Sequence, residues 1–213
     1  MRRGCGARVP PGVVLKFRIV SWNLLHTTGA GVDQVCALVG QTAPDLMLMQ
    51  EAGEHLSALP ARLGGRFVRV ALPGRPHGLA AWSPHTFTTR PEGLRLQRGM
   101  IVRRVCQLLD FGDFGVANVH LSHGQLLNRR QLYRIAGQLP ARAAILGDCN
   151  MVGAPLLPGW VDVGARVATH RMSGLVPLRL DRCFLRGLSC GGAQVLARGA
   201  SDHHPLLVDI AQA

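Results

Sequence analysis

"AAILGDCN", residues 143–150, runs an apolar segment into Gly147, Asp148 and Asn150. Ala143 to Leu146 read as a buried strand, and Gly147 lets the backbone approach a neighbour closely. Side chains at i and i+2 leave an extended chain on the same face, so Asp148 and Asn150 converge on one point. A cation, or a phosphate beside a cation, is such a point; an ordinary turn uses the same residue types. Other strands carry similar endings. "IVSWN" closes an apolar strand on Asn23, and "LMLMQE" closes another on Glu51. "VANVHL" holds Asn118 and His120 at alternate positions, "LRLDRCF" sets Asp181 inside a strand, and "SDHHP" places Asp202 and His203 just ahead of the last one. Polar residues at the ends of several buried strands are how a layered α/β fold assembles a site in its crevice. An acid within a buried strand needs a cation or an imidazole to offset its burial.

Hydrophobic residues make up 47% of the 213, a globular composition with enough chain for a substantial core. Lys plus Arg number 24 against 12 Asp plus Glu, a formal charge of +12 that favours anionic partners. Lys16 is the only lysine, and the arginines are scattered, so the charge selects no particular anion. The six cysteines are widely spaced with no C-x-x-C pair, which points to free thiols in a reducing compartment. Pro10, Pro11 and Gly12 interrupt any apolar run near the start, so no signal or membrane-spanning segment is expected and the cytoplasm is the expected location.

The periodicity predicts helices over 32–43 and 125–139, the second apolar at Leu126, Leu127, Leu132, Ile135 and Leu139, and a short Pro-interrupted helix over 55–65. Strands are expected over 16–22, 45–51, 66–72, 78–83, 100–109, 114–121, 142–147, 180–185, 193–197 and 205–210. Strands without strict alternation imply sheets covered on both faces, which favours a layered α/β fold. Residues 1–14 are expected as a flexible tail and 15–213 as a single domain.

The ordered set "SWN", "QE", "NVHL", "GDCN", "LDRCF" and "SDHHP" resembles the endonuclease/exonuclease/phosphatase superfamily, the deoxyribonuclease I-like fold, from about residue 16 to 210. The resemblance implies a four-layer sandwich, two face-to-face mixed sheets flanked by helices, with a divalent-metal phosphoesterase site at one edge. By matching position, Glu51 is the anionic ligand of a hard cation, Mg²⁺ with Mn²⁺ as a substitute, Asn23 orients that ligand or its water, and Asp202 is a further metal-side acid. Asp148 positions or activates the attacking water, and Asn150 holds a phosphoryl oxygen. His203 is the general base with Asp181 fixing its tautomer, and His120 donates to the phosphoryl oxygen or leaving group. Asn118, Arg129 and His170 are substrate-side candidates. His170 stands where many members have an aromatic, and no second carboxylate obviously partners His120. The implied activity is hydrolysis of phosphodiesters by a monomer, with nucleic acid slightly favoured over phospholipid or inositol phosphate, and a non-catalytic phosphate binder as the last alternative.

Overall fold

Both faces of the first strand are buried. In β1 (Lys16–Asn23), Phe17 and Ile19 enter one apolar cluster while Val20 and Trp22 enter another on the opposite side. A strand written this way belongs in the middle of a layered structure. The computed structural model describes residues 16–99, 102–172 and 175–212, so the expected tail over residues 1–14 lies outside them.

After β1 come α1 (Val32–Thr42), β2 (Leu46–Ala52), a 3₁₀ turn (Glu54–Ala58), α2 (Leu59–Leu63), β3 (Arg66–Ala71) and β4 (Gly78–Ser83). The chain continues through β5 (Thr88–Thr89), β6 (Leu94–Arg95), β7 (Val105–Asp110), β8 (Gly115–His120), α3 (Gln125–Ala136) and β9 (Ala143–Asp148). Last are β10 (Val161–Asp162), β11 (His170–Met172), β12 (Val176–Leu178), β13 (Asp181–Arg186), β14 (Leu188–Val195) and β15 (Leu206–Gln212). One sheet has the order β14-β15-β1-β2-β4-β3; the other has β10-β13-β9-β8-β7-β5, with β6 also paired to β7. Within each sheet one pair is parallel, β1 with β2 and β8 with β9, and the remaining pairs are antiparallel.

Ile19, Leu46, Leu48 and Val208 of the first sheet meet Val116, Ala144, Leu146 and Cys183 of the second in one buried cluster between the sheets. Val35, Leu38 and Val39 of α1 cover the outer face of the first sheet, and Leu132 and Ile135 of α3 cover that of the second. Fully burying a side chain of this kind contributes about 1.5–3 kcal/mol. The result is the expected four-layer α/β sandwich.

A polar seam crosses the inter-sheet core. Asn118 accepts from Gln50 Nε2 at 2.7 Å and donates to the carbonyls of Met49 and Ala80 and to Gln107 Oε1. Gln50 also donates to Ser21 Oγ at 3.1 Å. The Asn118 amide has all its polar atoms paired in this way, whereas Gln50 Oε1 is buried without a partner.

Several elements differ from expectation. The strand expected over 100–109 begins only at Val105; residues 100 and 101 lie outside the described residues. The strand expected over 193–197 is β14, which starts at Leu188 and carries a register shift between Cys190 and Gly192. The two-residue strands and the β11–β12 hairpin are too short to show periodicity. Helix α3 stops at Ala136, and Leu126 is exposed, because Asn128, Gln131, Leu132 and Ile135 form the buried face. Two amides on that face explain why the apolar pattern misleads.

Candidate active site

Parallel pairing brings chemistry to one edge. Asn23 and Gln50 are partners at the end of β1 and β2, and His120 and Asp148 are partners at the end of β8 and β9. Antiparallel β13 begins there, Asp181 opposite Asp148. The strand ends surround a cleft of about 360 Å³ lined by Asn23, Glu51, His120, Asp148, Asn150 and His203, among others.

Local backbone aims these groups. Glu51 has φ 54° at a register shift between β2 and β4, and Asn150 has φ 46°. Left-handed non-glycine residues are uncommon and cost free energy, and here three of them, Leu25 at φ 55° with Glu51 and Asn150, fall at the cleft. Gly147 has φ 139°, and a Cβ there would lie 2.1 Å from the Val119 carbonyl oxygen, so only glycine lets β9 lie against β8.

Asp148 is the hub. Its Oδ2 accepts from Asn23 Nδ2 at 3.0 Å and faces His120 Nε2 at 3.3 Å and His203 Nε2 at 3.8 Å. Its Oδ1 accepts the Asn150 N–H at 3.0 Å. Burial opposes ionisation, but the fields of His120 and His203 and these donors outweigh it and hold the carboxyl down at about 2. Asn150 Nδ2 donates to the Leu121 carbonyl at 3.0 Å, which fixes the amide. Asn23 Oδ1 accepts the Leu25 N–H at 3.2 Å, so this side chain braces Asp148.

His203 Nδ1 lies 2.8 Å from Asp181 Oδ2. Trp22 Nε1 donates to the His203 carbonyl, and the Ser201 hydroxyl accepts the His203 N–H while donating to the Asn23 carbonyl. Burial lowers the His203 pKa, yet Asp181 and Asp148 together push it up to about 10. A shift in this direction favours the protonated imidazole. His204 turns away, its Nδ1 2.8 Å from the Leu196 carbonyl. Asp181 pairs with neither neighbouring arginine: Arg179 and Arg182 both take Asp162, at 2.6 Å and 2.8 Å. Thr169 Oγ1 accepts the N–H groups of Leu180 and Asp181, anchoring the start of β13.

His120 is buried, and burial with the Arg104 charge pushes its pKa down to about 3, so it is neutral. Its carboxylate partner is Asp148, while Nδ1 is buried without a partner. Glu51 accepts from the His26 N–H at 3.2 Å and lies 3.0 Å from His26 Nδ1, and His26 stacks on His77 at 3.9 Å. Burial raises the Glu51 pKa, but the field of His120 and the hydrogen bonds from His26 bring it below the ordinary carboxylate value. His170 packs its ring 4.4 Å from that of His203, and His170, Asp202 and His203 present ligand atoms all within 4.8 Å of one another.

Two expected substrate contacts lie elsewhere. Asn118 is fully buried in the inter-sheet seam, with its polar atoms occupied. Arg129 donates to the carbonyls of Gln125, Val152 and Ala154, which ties α3 to the loop after β9. Conversely, Arg104 was not among the expected site residues. It lines the cleft, is 5% exposed, and its Nε has no hydrogen-bond partner. Burial lowers its pKa against the pull of Asp148 and Glu51. Its only signal in the sequence is an arginine placed directly before the apolar run "VCQLL".

The fold is similar to an endonuclease/exonuclease/phosphatase from Bacteroides vulgatus, with TM-score 0.73 at 16% identity over 93% of this chain and 100% of that one. It is also similar to D. rerio TDP2 complexed with single-strand DNA product, with TM-score 0.71 at 15% identity over 92% and 98%. In sequence, a UPF0294 protein of Yersinia enterocolitica is 28% identical over 96% of this chain and 88% of its own length. A UPF0294 protein of Klebsiella pneumoniae is also 28% identical, over 91% and 82%. A family model described as Endonuclease/Exonuclease/phosphatase family matches residues 20–203, from within β1 to the histidine held by Asp181. A match that spans both sheets and every strand end at the cleft leaves one conclusion: the chain belongs to the endonuclease/exonuclease/phosphatase family.

Proposed function

We propose that the chain hydrolyses phosphodiesters with the help of a divalent cation. The observation that carries this reading is the convergence of Asp148, Glu51 and His203, the last backed by buried Asp181, on one cleft. The donor set suits a hard cation, with Mg²⁺ first and Mn²⁺ as a substitute: Glu51 would hold it, and Asp202 has a buried Oδ1 without a partner. Bound there, the cation would neutralise the diester and stabilise charge on its oxygens.

The remaining work belongs to the chain's own groups. Asp148 orients a water and accepts its proton as the new P–O bond forms; held at about 2, it is a weak base that acts mainly by position. The imidazolium of His203 gives its proton to the leaving oxygen as the old P–O bond breaks. Water and diester thus become a monoester and an alcohol. Asn150 and neutral His120 hold the phosphoryl oxygens, and Asp181 is a positioning residue behind His203.

Nucleic acid heads the substrates to test because of the charge of +12 and the DNA product named with the TDP2 neighbour. The experiment is hydrolysis of duplex DNA, single-stranded DNA, RNA, phospholipids and inositol phosphates, each with Mg²⁺, Mn²⁺ or chelator. Turnover of a diester that stops with chelator is the expected result. Turnover unaffected by chelator rejects the cation, and no turnover of any ester rejects the reading. A single domain, a monomer and a cytoplasmic location are part of the same proposal; among the described residues no helix is long and apolar enough to cross a membrane.

A further inference from the structure

A second pocket, of about 320 Å³, adjoins the cleft and shares Arg104 and His123 with it. Its other walls are Gly99, Val102, Gly124, Leu127 and Ser122, and the Ser122 hydroxyl is already taken by Gln131 Nε2 at 3.0 Å. An occupant therefore meets hydrocarbon on most sides. A nucleobase buried there would leave its polar edge largely unpaired, which is costly. An alkyl chain loses nothing. The wall shared with the cleft supplies the opposite chemistry: Arg104 is buried, forms no ion pair among the described residues, and has an unpartnered Nε. A buried guanidinium without a carboxylate is matched by an anion, and phosphate suits its fork.

Three large apolar side chains are exposed on segments that also supply cleft residues. Leu126 at the start of α3 is 75% exposed and Leu156 in the loop after β9 is 73% exposed. Leu175, beside β12, is 82% exposed on the segment whose Leu178 and His170 line the cleft.

We propose that this pocket receives an alkyl chain of the substrate, so that the preferred substrate is a lipid-type phosphodiester with its phosphate on Arg104 and its chain against Val102 and Leu127. The inference rests on the phosphodiesterase reading and reverses its order of substrates.

The test is a series of alkyl p-nitrophenyl phosphates, from methyl to decyl, hydrolysed with Mg²⁺. KM should fall by up to about fourfold per added methylene until the pocket is full. Leu127→Trp, which fills the pocket, should shorten the chain length at which KM levels off, and Leu127→Ala should lengthen it. Arg104→Gln should raise KM for every ester. Circular dichroism checks folding, and Val102→Phe serves as a second filling variant if Leu127→Trp does not fold. Calorimetric binding of decyl phosphate to metal-free protein, weaker in Leu127→Trp, reads the pocket without turnover. Hydrolysis of the methyl ester with no dependence on chain length overturns the inference and leaves the reaction standing. A dinucleotide with lower KM than the decyl ester, unaffected by Leu127→Trp, also overturns it.

Discussion

Glu51 holds φ 54° on the last turn of a strand that is otherwise regular, a conformation that costs a glutamate about 1–3 kcal/mol. The bulge turns its carboxylate out of the sheet and into the cleft. Glu51→Gln keeps the shape and removes the charge, so Mg²⁺ affinity measured by calorimetry and turnover should both fall while the melting temperature changes little. Undiminished Mg²⁺ binding would move the cation to His170, Asp202 and His203. His203 lends itself to a sharper test. As a donor between two carboxylates it should lose activity as pH rises, and His203→Ala should lose about 10²–10⁴-fold in turnover together with that alkaline limb. Asp181→Asn should shift the same limb to lower pH, because the charge that raises the imidazole is gone. His204→Ala should keep most activity, since its ring faces the Leu196 carbonyl. If the limb that disappears with His203 is the acidic one, the imidazole is the base after all.

Strands β8 and β9 touch so closely that Gly147 has room for no side chain. Gly147→Ala should cost at least about 2 kcal/mol in chemical denaturation and disturb Asp148 one residue on. A loss below about 0.5 kcal/mol would mean that the pair relaxes freely. Helix α3 has a different task than its charges suggest. Arg129 holds three backbone carbonyls, so Arg129→Gln should loosen residues 152–154 to hydrogen exchange and leave the salt dependence of substrate binding nearly unchanged. A flattened salt slope would restore Arg129 as a substrate contact. These contrasts explain what one dimension discloses. Strand-end residues such as Asn23, Asp148 and Asp181 are legible because a polar group terminating a buried run has few ordinary reasons to be there. Arg129 is misleading because its acceptors are carbonyls, which every residue possesses. Arg104 is silent because it lies in irregular chain ahead of β7, where no periodicity says which way a side chain faces. The short strands of the second sheet exist through their partners and have no pattern of their own.

The whole molecule should respond to pH from two sides in its metal-free form. His203 is raised from 6.5 to about 10, so its stabilisation is complete below about 6.5 and is lost as pH climbs through 10. His120 is depressed from 6.5 to about 3, so its neutral form stabilises the fold above about 6.5, and that contribution is lost as pH falls towards 3. Stability in urea should therefore peak near pH 6.5; His203→Gln should flatten the alkaline side and His120→Gln the acidic side. Stability that only rises with pH across this range would contradict the His203 assignment, and stability that only falls would contradict that of His120. The same interior holds Cys106, Cys149 and Cys183 buried as free thiols, with Cys36 and Cys190 nearer the surface. Alkylation and mass spectrometry of the native protein should find no stoichiometric disulfide, and one would overturn the expected reducing compartment. The amide seam through the middle has a further consequence. Gln50 stands beside Glu51 and Asn118 two residues from His120, so the contact that keys one sheet to the other is built into the same strands that carry the two halves of the cleft. Sliding either sheet by one residue would strand several buried amides at once. The gap between the halves is thus a dimension of the scaffold, and an engineer can vary the loops that carry no cleft residue provided Ser21, Gln50, Gln107 and Asn118 travel together as one part.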